Sequence, residues 1–265
     1  MLPFERLRSL VRWSGRDHLE LAVEAADCLA EFGDDPAGLV VGCRRLLAHH
    51  PDAAPLWWLC ARVLAAPDPR RAAIESARIL ADDPTPRHLA DLLPFPHDDP
   101  VAVVGWPPTV AAAAVARPDL NLIAVAGLGG SDGLHRRLRS VEQAIEALPV
   151  AAAVARRPTH VLVEPGVVGR AGGDPAGGRP VLLDAADADA VGALTGTGAA
   201  LWVVVGAGRV LPDRLFAMVA GANRDRFVPF PSEAAAVIGP DGPARWGDRS
   251  LEPTCPVAPE LLRPL

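Results

Sequence analysis

The sequence contains no lysine and no tyrosine, so all 26 of its basic residues are arginines. The absence of lysine excludes the lysine of a phosphate-binding P-loop, Schiff-base catalysis and a Ser-Lys dyad. The arginines are scattered and the net charge at pH 7 is −6, which argues against a nucleic-acid-binding surface. Nucleophile-elbow and zinc-helix motifs are missing as well. We therefore expect neither a classical hydrolase nor a metalloenzyme, and no metal or cofactor.

Cysteine is also scarce, with four residues in 265 and no C-x-x-C spacing. This pattern predicts that Cys28, Cys43, Cys60 and Cys255 are buried thiols in a reducing compartment, not metal ligands or disulfides. The sequence has no signal peptide and no apolar run near the roughly 20 residues of a membrane span. These features predict a soluble, cytoplasmic protein that does not contact membranes.

Residues 1–95 are predicted to form a helical domain of four short helices. Asp17, Asp35 and Asp68 each precede an amphipathic stretch, and the last two are followed by the proline that suits a first helical position. The segment 92–100, with three prolines in nine positions, cannot continue a helix and predicts the domain boundary.

The two Asp-Pro starts lie 33 residues apart, close to the period of a tetratricopeptide-like helical pair. Two copies are too few to bury a continuous core, but a helical-repeat interaction adaptor remains an alternative function.

From residue 100 the pattern changes to an alternation of strands and helices. Short apolar runs, typical of strands buried on both faces, occupy 101–105, 121–127, 159–165, 179–184 and 201–206. Helix-compatible stretches lie between them at 109–117, 134–147, 187–194 and 212–221. The alternation predicts a Rossmann-like, doubly wound and mostly parallel sheet over residues 100–240, followed by a Pro-rich tail over 241–265.

In such a sheet, ligands bind beyond the carboxyl ends of the strands. The first candidate loop there is "GWPPTV", which offers Trp106 and the hydroxyl of Thr109 beside the N–H groups of a helix start. The alternative is that Thr109 serves only as the N-cap of that helix.

The second candidate loop is "AGLGGSDGLHRRLR". Gly129, Gly130 and Ser131 are predicted to form a backbone nest for phosphate, and Arg136 or Arg137 to supply charge one turn into the helix. A loop followed by a solvated, arginine-rich helix is the alternative.

The third candidate site combines two later strand ends. Glu164 ends a strand and is a candidate general base with a pKa raised by burial, unless it caps a loop or pairs with an arginine. In "LWVVVGAGRVLPDRLF", Gly206 and Gly208 end another strand beside Arg209. That arginine binds an anion or locks two loops together through backbone carbonyls.

Three segments, "LLAHHPDAAPLWWL" (46–59), "HVLVEPGVVG" (160–169) and "ALWVVVGAGRVLP" (200–212), resemble those of a known family. The family joins the regulatory subunits of translation initiation factor 2B with methylthioribose-phosphate and ribose-bisphosphate isomerases. The resemblance implies an N-terminal helical domain on a Rossmann-like domain that forms a homodimer.

The isomerases of that family use a cysteine after an early strand and an aspartate at a later strand end. Residues 101–240 of this chain contain no cysteine, and Glu164 falls near the place of the acid. We therefore expect a divergent, non-catalytic protein that binds a phosphorylated metabolite or a nucleotide and acts through a protein partner. The enzyme alternative is a sugar-phosphate isomerase with Glu164 as base, assisted by Asp132 or Asp184.

Overall fold

A computed structural model describes residues 3–14, 17–93, 99–105, 107–126, 145–170, 180–230, 236–244 and 251–263. The described helices are α1 (Pro3–Val11), α2 (His18–Ala30), α3 (Pro36–His49), α4 (Ala54–Ala65), α5 (Pro69–Ala81), α6 (Thr85–Leu92), α7 (Pro108–Val115), α8 (Val150–Ala155), α9 (Ala185–Thr195) and α10 (Asp213–Ala222). The strands are β1 (Pro100–Val104), β2 (Asn121–Ala126), β3 (Ile145–Pro149), β4 (His160–Val163), β5 (Val167–Val168), β6 (Val181–Asp184), β7 (Ala200–Val204), β8 (Phe227–Pro229), β9 (Ala236–Gly239) and β10 (Gly242–Ala244).

The predicted helix starts in the N-terminal helical region, α1–α6, are confirmed by their caps. Asp17 accepts hydrogen bonds from the first-turn amides of α2, Asp35 from Gly38 N at 2.9 Å, and Asp68 from Arg71 N at 3.0 Å. Each carboxylate satisfies N–H groups that have no partner inside the helix. Over residues 3–14 and 17–93 the structure nevertheless has six helices, not the expected four, since α1 and α6 were not predicted.

The core of the helical region is built around two tryptophans of α4. Trp57 and Trp58 are fully buried with leucines from α1, α2 and α3. All four cysteines are buried, three of them in these helices, as predicted. The C-terminal residues close this core from the side, since Trp58 Nε1 donates to Thr254 Oγ1 at 2.8 Å and Leu261 is fully buried.

The second region is a seven-stranded sheet in the order β10-β9-β7-β4-β1-β2-β3. All neighbours pair in parallel except β9 and β10, which form an antiparallel hairpin. Along β1, Val101 and Val103 pack towards α6 and α7, whereas Ala102 and Val104 pack towards α8 and α9. Burial on both faces explains the continuous apolar runs and confirms the predicted doubly wound sheet.

Three predictions about individual elements were wrong. The run 179–184 contains a strand, β6, but it belongs to a separate antiparallel sheet in the order β5-β6-β8. Residues 145–147, expected in a helix, lie in β3, because pairing with β2 determines the conformation of a short segment that fits either structure. The rest of that predicted helix, 134–144, lies outside the described residues. Strand β10 continues the sheet past residue 240, where the tail was expected to begin.

In the part of the chain that the structure describes, none of the helices has the length and apolar character needed to cross a membrane.

Candidate functional site

The strand order reverses between β1 and β4. The chain runs outward from β1 to β2 and β3, then returns to place β4 on the opposite side of β1. Ligands of open parallel sheets bind in the crevice that such a reversal leaves at the carboxyl ends of the strands. Glu164 directly follows β4 at this position, and α7 follows β1 there.

Glu164 is bound on both of its carboxylate oxygens by groups of the protein itself. Its Oε1 accepts hydrogen bonds from Thr109 N at 2.6 Å and Val110 N at 2.9 Å, and its Oε2 accepts one from the guanidinium of Arg209 at 2.7 Å. The side chain of Glu164 is 3% exposed and that of Arg209 is 9% exposed. The carboxylate therefore occupies the N-terminus of α7, the kind of position that binds anions in other proteins.

Arg209 also fastens the loop that carries Glu164. Its second guanidinium nitrogen donates to the carbonyl oxygen of Pro165 at 2.9 Å. Both structural alternatives considered for these residues are thus present: Glu164 pairs with an arginine, and Arg209 holds a neighbouring loop through a backbone carbonyl. We refer to Glu164 and Arg209 as the inner pair.

Opposing effects act on the pKa of Glu164. Burial raises this pKa, while the charge of Arg209 and the N–H groups of Val110 and Thr109 act in the opposite direction. A general base must reach the proton it removes. A carboxylate that is 3% exposed, with both oxygens engaged, has no such access in this arrangement.

Thr109 is not the N-cap of α7. The helix begins at Pro108 with Pro107 in the capping position, and neither proline offers a side-chain acceptor. Glu164, 55 residues further along the chain, provides the missing acceptor instead. No local pattern could indicate a cap from so distant a residue.

The glycines after β7 pack against the helical region. Gly206 lies between Asp83 and Thr109, and Gly208, with φ +77°, lies against Pro55 and Leu80. Asp83 was not among the predicted site residues. It sits in the turn between α5 and α6, and its Oδ2 accepts a hydrogen bond from Ala207 N at 2.8 Å.

The remaining predicted ligand-binding residues and one candidate acid lie outside the described residues: Trp106, Gly129, Gly130, Ser131, Asp132 and Arg136. Strand β2, which precedes all of these except Trp106 in the chain, ends at Ala126 beside β1, at the same carboxyl edge of the sheet as Glu164.

Asp184, the other candidate acid, forms a second carboxylate-arginine pair. Its Oδ1 accepts a hydrogen bond from Ala186 N at 3.1 Å, which caps α9, and its Oδ2 accepts one from Arg226 Nε at 2.9 Å. Arg226 also pairs with Asp52, which lies 3.5 Å from His18 Nε2. We refer to Asp184 and Arg226 as the outer pair, because their side chains are 33% and 48% exposed.

Burial lowers the pKa of His18 to about 4, although the neighbouring carboxylate of Asp52 acts to raise it. The imidazole is therefore neutral at pH 7. Within the described ranges, no group of three or more His, Cys, Asp or Glu side chains is placed to hold a metal ion.

No protein-family model matches the sequence, and no curated protein matches it. Solved structures do match. Translation initiation factor eIF-2B from Pyrococcus horikoshii OT3 has a TM-score of 0.72 at 14% identity, and the match covers 94% of this chain and 98% of that one. The beta subunit of eIF2B from Chaetomium thermophilum has a TM-score of 0.60 at 15% identity, with 92% of this chain and 88% of that chain covered.

A similar match is found to 5-methylthioribose 1-phosphate isomerase from Pyrococcus horikoshii OT3. It has a TM-score of 0.64 at 12% identity, and covers 92% of this chain and 84% of that chain. These structures confirm the resemblance expected from the sequence: the chain has the α/β fold of eIF2B subunits and methylthioribose-phosphate isomerase.

Proposed function

We propose that this chain is a non-catalytic protein with an eIF2B-like fold, which binds a phosphorylated metabolite or a nucleotide and acts through contacts with other proteins. The observation that supports this proposal best is the inner pair. At the reversal of strand order, where an enzyme of this architecture would hold its reacting groups, the two charged side chains pair with each other, and Glu164 also accepts hydrogen bonds from the first turn of α7.

Isomerase chemistry is less well supported. Interconversion of an aldose and a ketose needs a base that reaches a substrate proton, and Glu164 is buried with both oxygens engaged. The catalytic cysteine that the family resemblance implies has no counterpart, since residues 101–240 contain no cysteine. Asp184 is held by Arg226 and by the amide of Ala186.

We place the phosphorylated ligand at the segment that follows β2. The N-terminus of α7 already holds an internal carboxylate, so a second anion there would meet the negative charge of Glu164. The segment after Ala126 has glycines 129 and 130, Ser131 and Arg136, the residue types that form backbone nests for phosphate. Strand β2, which precedes this segment, ends at the same carboxyl edge of the sheet as Glu164.

The proposal of protein contacts is supported by the structural neighbours. One of them is the tetrameric eIF2B-beta2-delta2 complex from C. thermophilum, with a TM-score of 0.61 at 14% identity. We propose that this chain likewise forms a homodimer or joins a related subunit. The four buried cysteines suit the reducing conditions of the cytoplasm, where we place this function.

A thermal-shift screen of the purified protein against nucleotides, pentose phosphates and sulfate tests the ligand. A compound that binds only the folded protein adds about 2.7 kcal/mol of stability when it is present at 100 times its Kd. We expect a shift with at least one phosphorylated compound, and we expect Arg136→Ala to reduce it. The control is Arg156→Ala, which removes a half-exposed arginine paired with Glu146 and should leave the shift intact.

Two results would overturn the proposal. If no phosphorylated compound shifts the melting temperature, the proposed class of ligand is wrong. If the protein interconverts aldose and ketose forms of a pentose phosphate, it is an enzyme, and the inner pair does not have the purely structural role proposed for it.

A further inference from the structure

The turn between β7 and α10 is held from both sides, by the helical region and by α7. Asp83, in the turn between α5 and α6, makes the contact from the helical side. Its Oδ2 accepts the hydrogen bond from Ala207 N at 2.8 Å, while its Oδ1 accepts from the N–H and the hydroxyl of Thr85 at 3.0 and 2.5 Å. Because Thr85 is fully buried, the carboxylate is fixed to the end of the helical region.

Gly206 brings this carboxylate next to the first turn of α7. A Cβ atom at residue 206 would lie 2.9 Å from Asp83 Oδ2 and 3.1 Å from Thr109 Oγ1. Both distances are shorter than ordinary contacts, so a methyl group at residue 206 would force Asp83 or Thr109 to shift. The end of the helical region and the start of α7 are thus separated by a single glycine.

The same turn reaches α7 by a second route. Arg209 lies two residues after Ala207 and pairs with Glu164. The carboxylate of Glu164 in turn accepts hydrogen bonds from the backbone N–H groups of Thr109 and Val110. Hydrogen bonds and one ion pair therefore connect Asp83, the turn, Glu164 and α7 without a gap.

We propose that Asp83 is a positioning residue which, through the Gly206–Arg209 turn, sets the first turn of α7 according to the position of the helical region. A protein that binds the helical region would then change the carboxyl edge of the sheet, where the ligand is placed. This inference rests on the proposed function in one respect, since it names the regulation of that site. The coupling itself requires no ligand.

Residue-level hydrogen exchange of the full chain, followed by NMR, tests the coupling directly. In Asp83→Ala we expect exchange of the Ala207 amide, and also of the Thr109 and Val110 amides, to increase about tenfold or more, because loss of this partly buried contact lowers the free energy of local opening. The matched control is Asp68→Ala, which removes a cap from the other end of α5 and should affect only the amides of that first turn.

A second variant, Gly206→Ala, inserts a methyl group between Asp83 and Thr109 and should produce the same pattern. The coupling is overturned if Ala207 loses protection in Asp83→Ala while Thr109 and Val110 keep theirs. It is also overturned if, in both variants, the amides of β1 lose protection as much as those of α7, since that indicates general destabilisation. The ligand screen described above is decided independently of these results.

Discussion

The inner and outer pairs are built from the same parts but differ in their surroundings. In each, a carboxylate at the end of a strand accepts a hydrogen bond from the first turn of a helix and pairs with an arginine. The inner pair is almost completely buried, whereas the outer pair is 33% and 48% exposed. Burial decides what each pair contributes, because water screens an exposed pair and stabilises its separated charges.

The difference in burial also means that the inner pair is a fixed contact, whereas the outer pair can rearrange. A carboxylate that loses its partner in a buried site is left as an uncompensated charge, so the inner pair is fixed. The outer pair can separate into water at little cost, and Arg226 already divides its contacts between Asp184 and Asp52.

The largest expected effect comes from breaking the inner pair. Arg209→Ala leaves Glu164 buried without its counter-charge, and the free energy of unfolding should fall by about 3–5 kcal/mol. Asp184→Asn breaks the outer pair as a control while Arg226 keeps Asp52, and should cost less than about 1 kcal/mol. Urea unfolding at pH 7 measures both, and equal losses would contradict the contrast in burial.

The stability of Arg209→Ala should also depend on pH differently from that of the parent protein. Burial raises the pKa of Glu164, and removing Arg209 raises it further, so the folded variant takes up a proton more readily than the unfolded chain. Its deficit relative to the parent protein should therefore shrink as the pH falls from 7 towards 5. A deficit that grows over this range would have the wrong sign.

A smaller effect is expected from two glycines with positive φ, one next to Arg209 and one beyond the far end of the helix that Asp184 caps. Gly208 precedes Arg209 with φ +77°, and a Cβ there would lie 3.0 Å from Leu80 Cδ2 and 3.2 Å from Pro55 Cα. Gly198 follows α9, the helix that Asp184 caps, with φ +93° and open space around it. Gly198→Ala should cost about 1–2 kcal/mol from backbone strain alone.

Gly208→Ala should cost more than Gly198→Ala, because it adds overlap with the helical region, typically about 1–3 kcal/mol, to the same strain. Thermal unfolding of the two variants makes the comparison. If they lose the same stability, the turn does not press against Pro55 and Leu80 as closely as described.

The last effect appears only at acid pH and concerns His18, which contacts the network of the outer pair through Asp52. The pKa of His18 falls from 6.5 to about 4 on folding, so between these pH values the unfolded chain binds the extra proton. This contribution to stability is present above pH 6.5 and is lost as the pH falls towards 4.

When the pH is lowered from 7 to 4, the free energy of unfolding should therefore fall less in His18→Gln than in the parent protein. The difference between the two losses should be at most about 3 kcal/mol. Urea titrations at both pH values measure the difference, and NMR of the imidazole checks the pKa itself. A variant that loses more stability than the parent over this range would contradict the assignment.

The features predicted correctly from the sequence depend on neighbours in the chain or on burial of whole elements. Asp35 and Asp68 cap helices whose amides are three residues away, and continuous apolar runs mark strands covered on both faces. The apolar run that contains β6 shows that such a run does not identify the partners of a strand. Its composition matches that of a parallel strand, but its partners are the antiparallel β5 and β8.

The candidate site could be predicted only in part, because its contacts join distant residues. Glu164 and Arg209 were identified as strand-end charges, but 45 residues separate them, and 55 separate Glu164 from Thr109. Asp83 contacts Ala207 across 124 residues. No pattern in the sequence connects these positions, and only the fold brings them together.

The most direct test of the central claim is a double-mutant cycle on the inner pair, with unfolding free energies measured for Glu164→Ala, Arg209→Ala and the double variant. If the two charges compensate each other in a buried structural contact, the coupling free energy should exceed about 2 kcal/mol and the double variant should be far more stable than the sum of the single losses predicts. A coupling below about 0.5 kcal/mol, within the range of independent sites, would show that Glu164 does not depend on Arg209 and would contradict the structural role assigned to both.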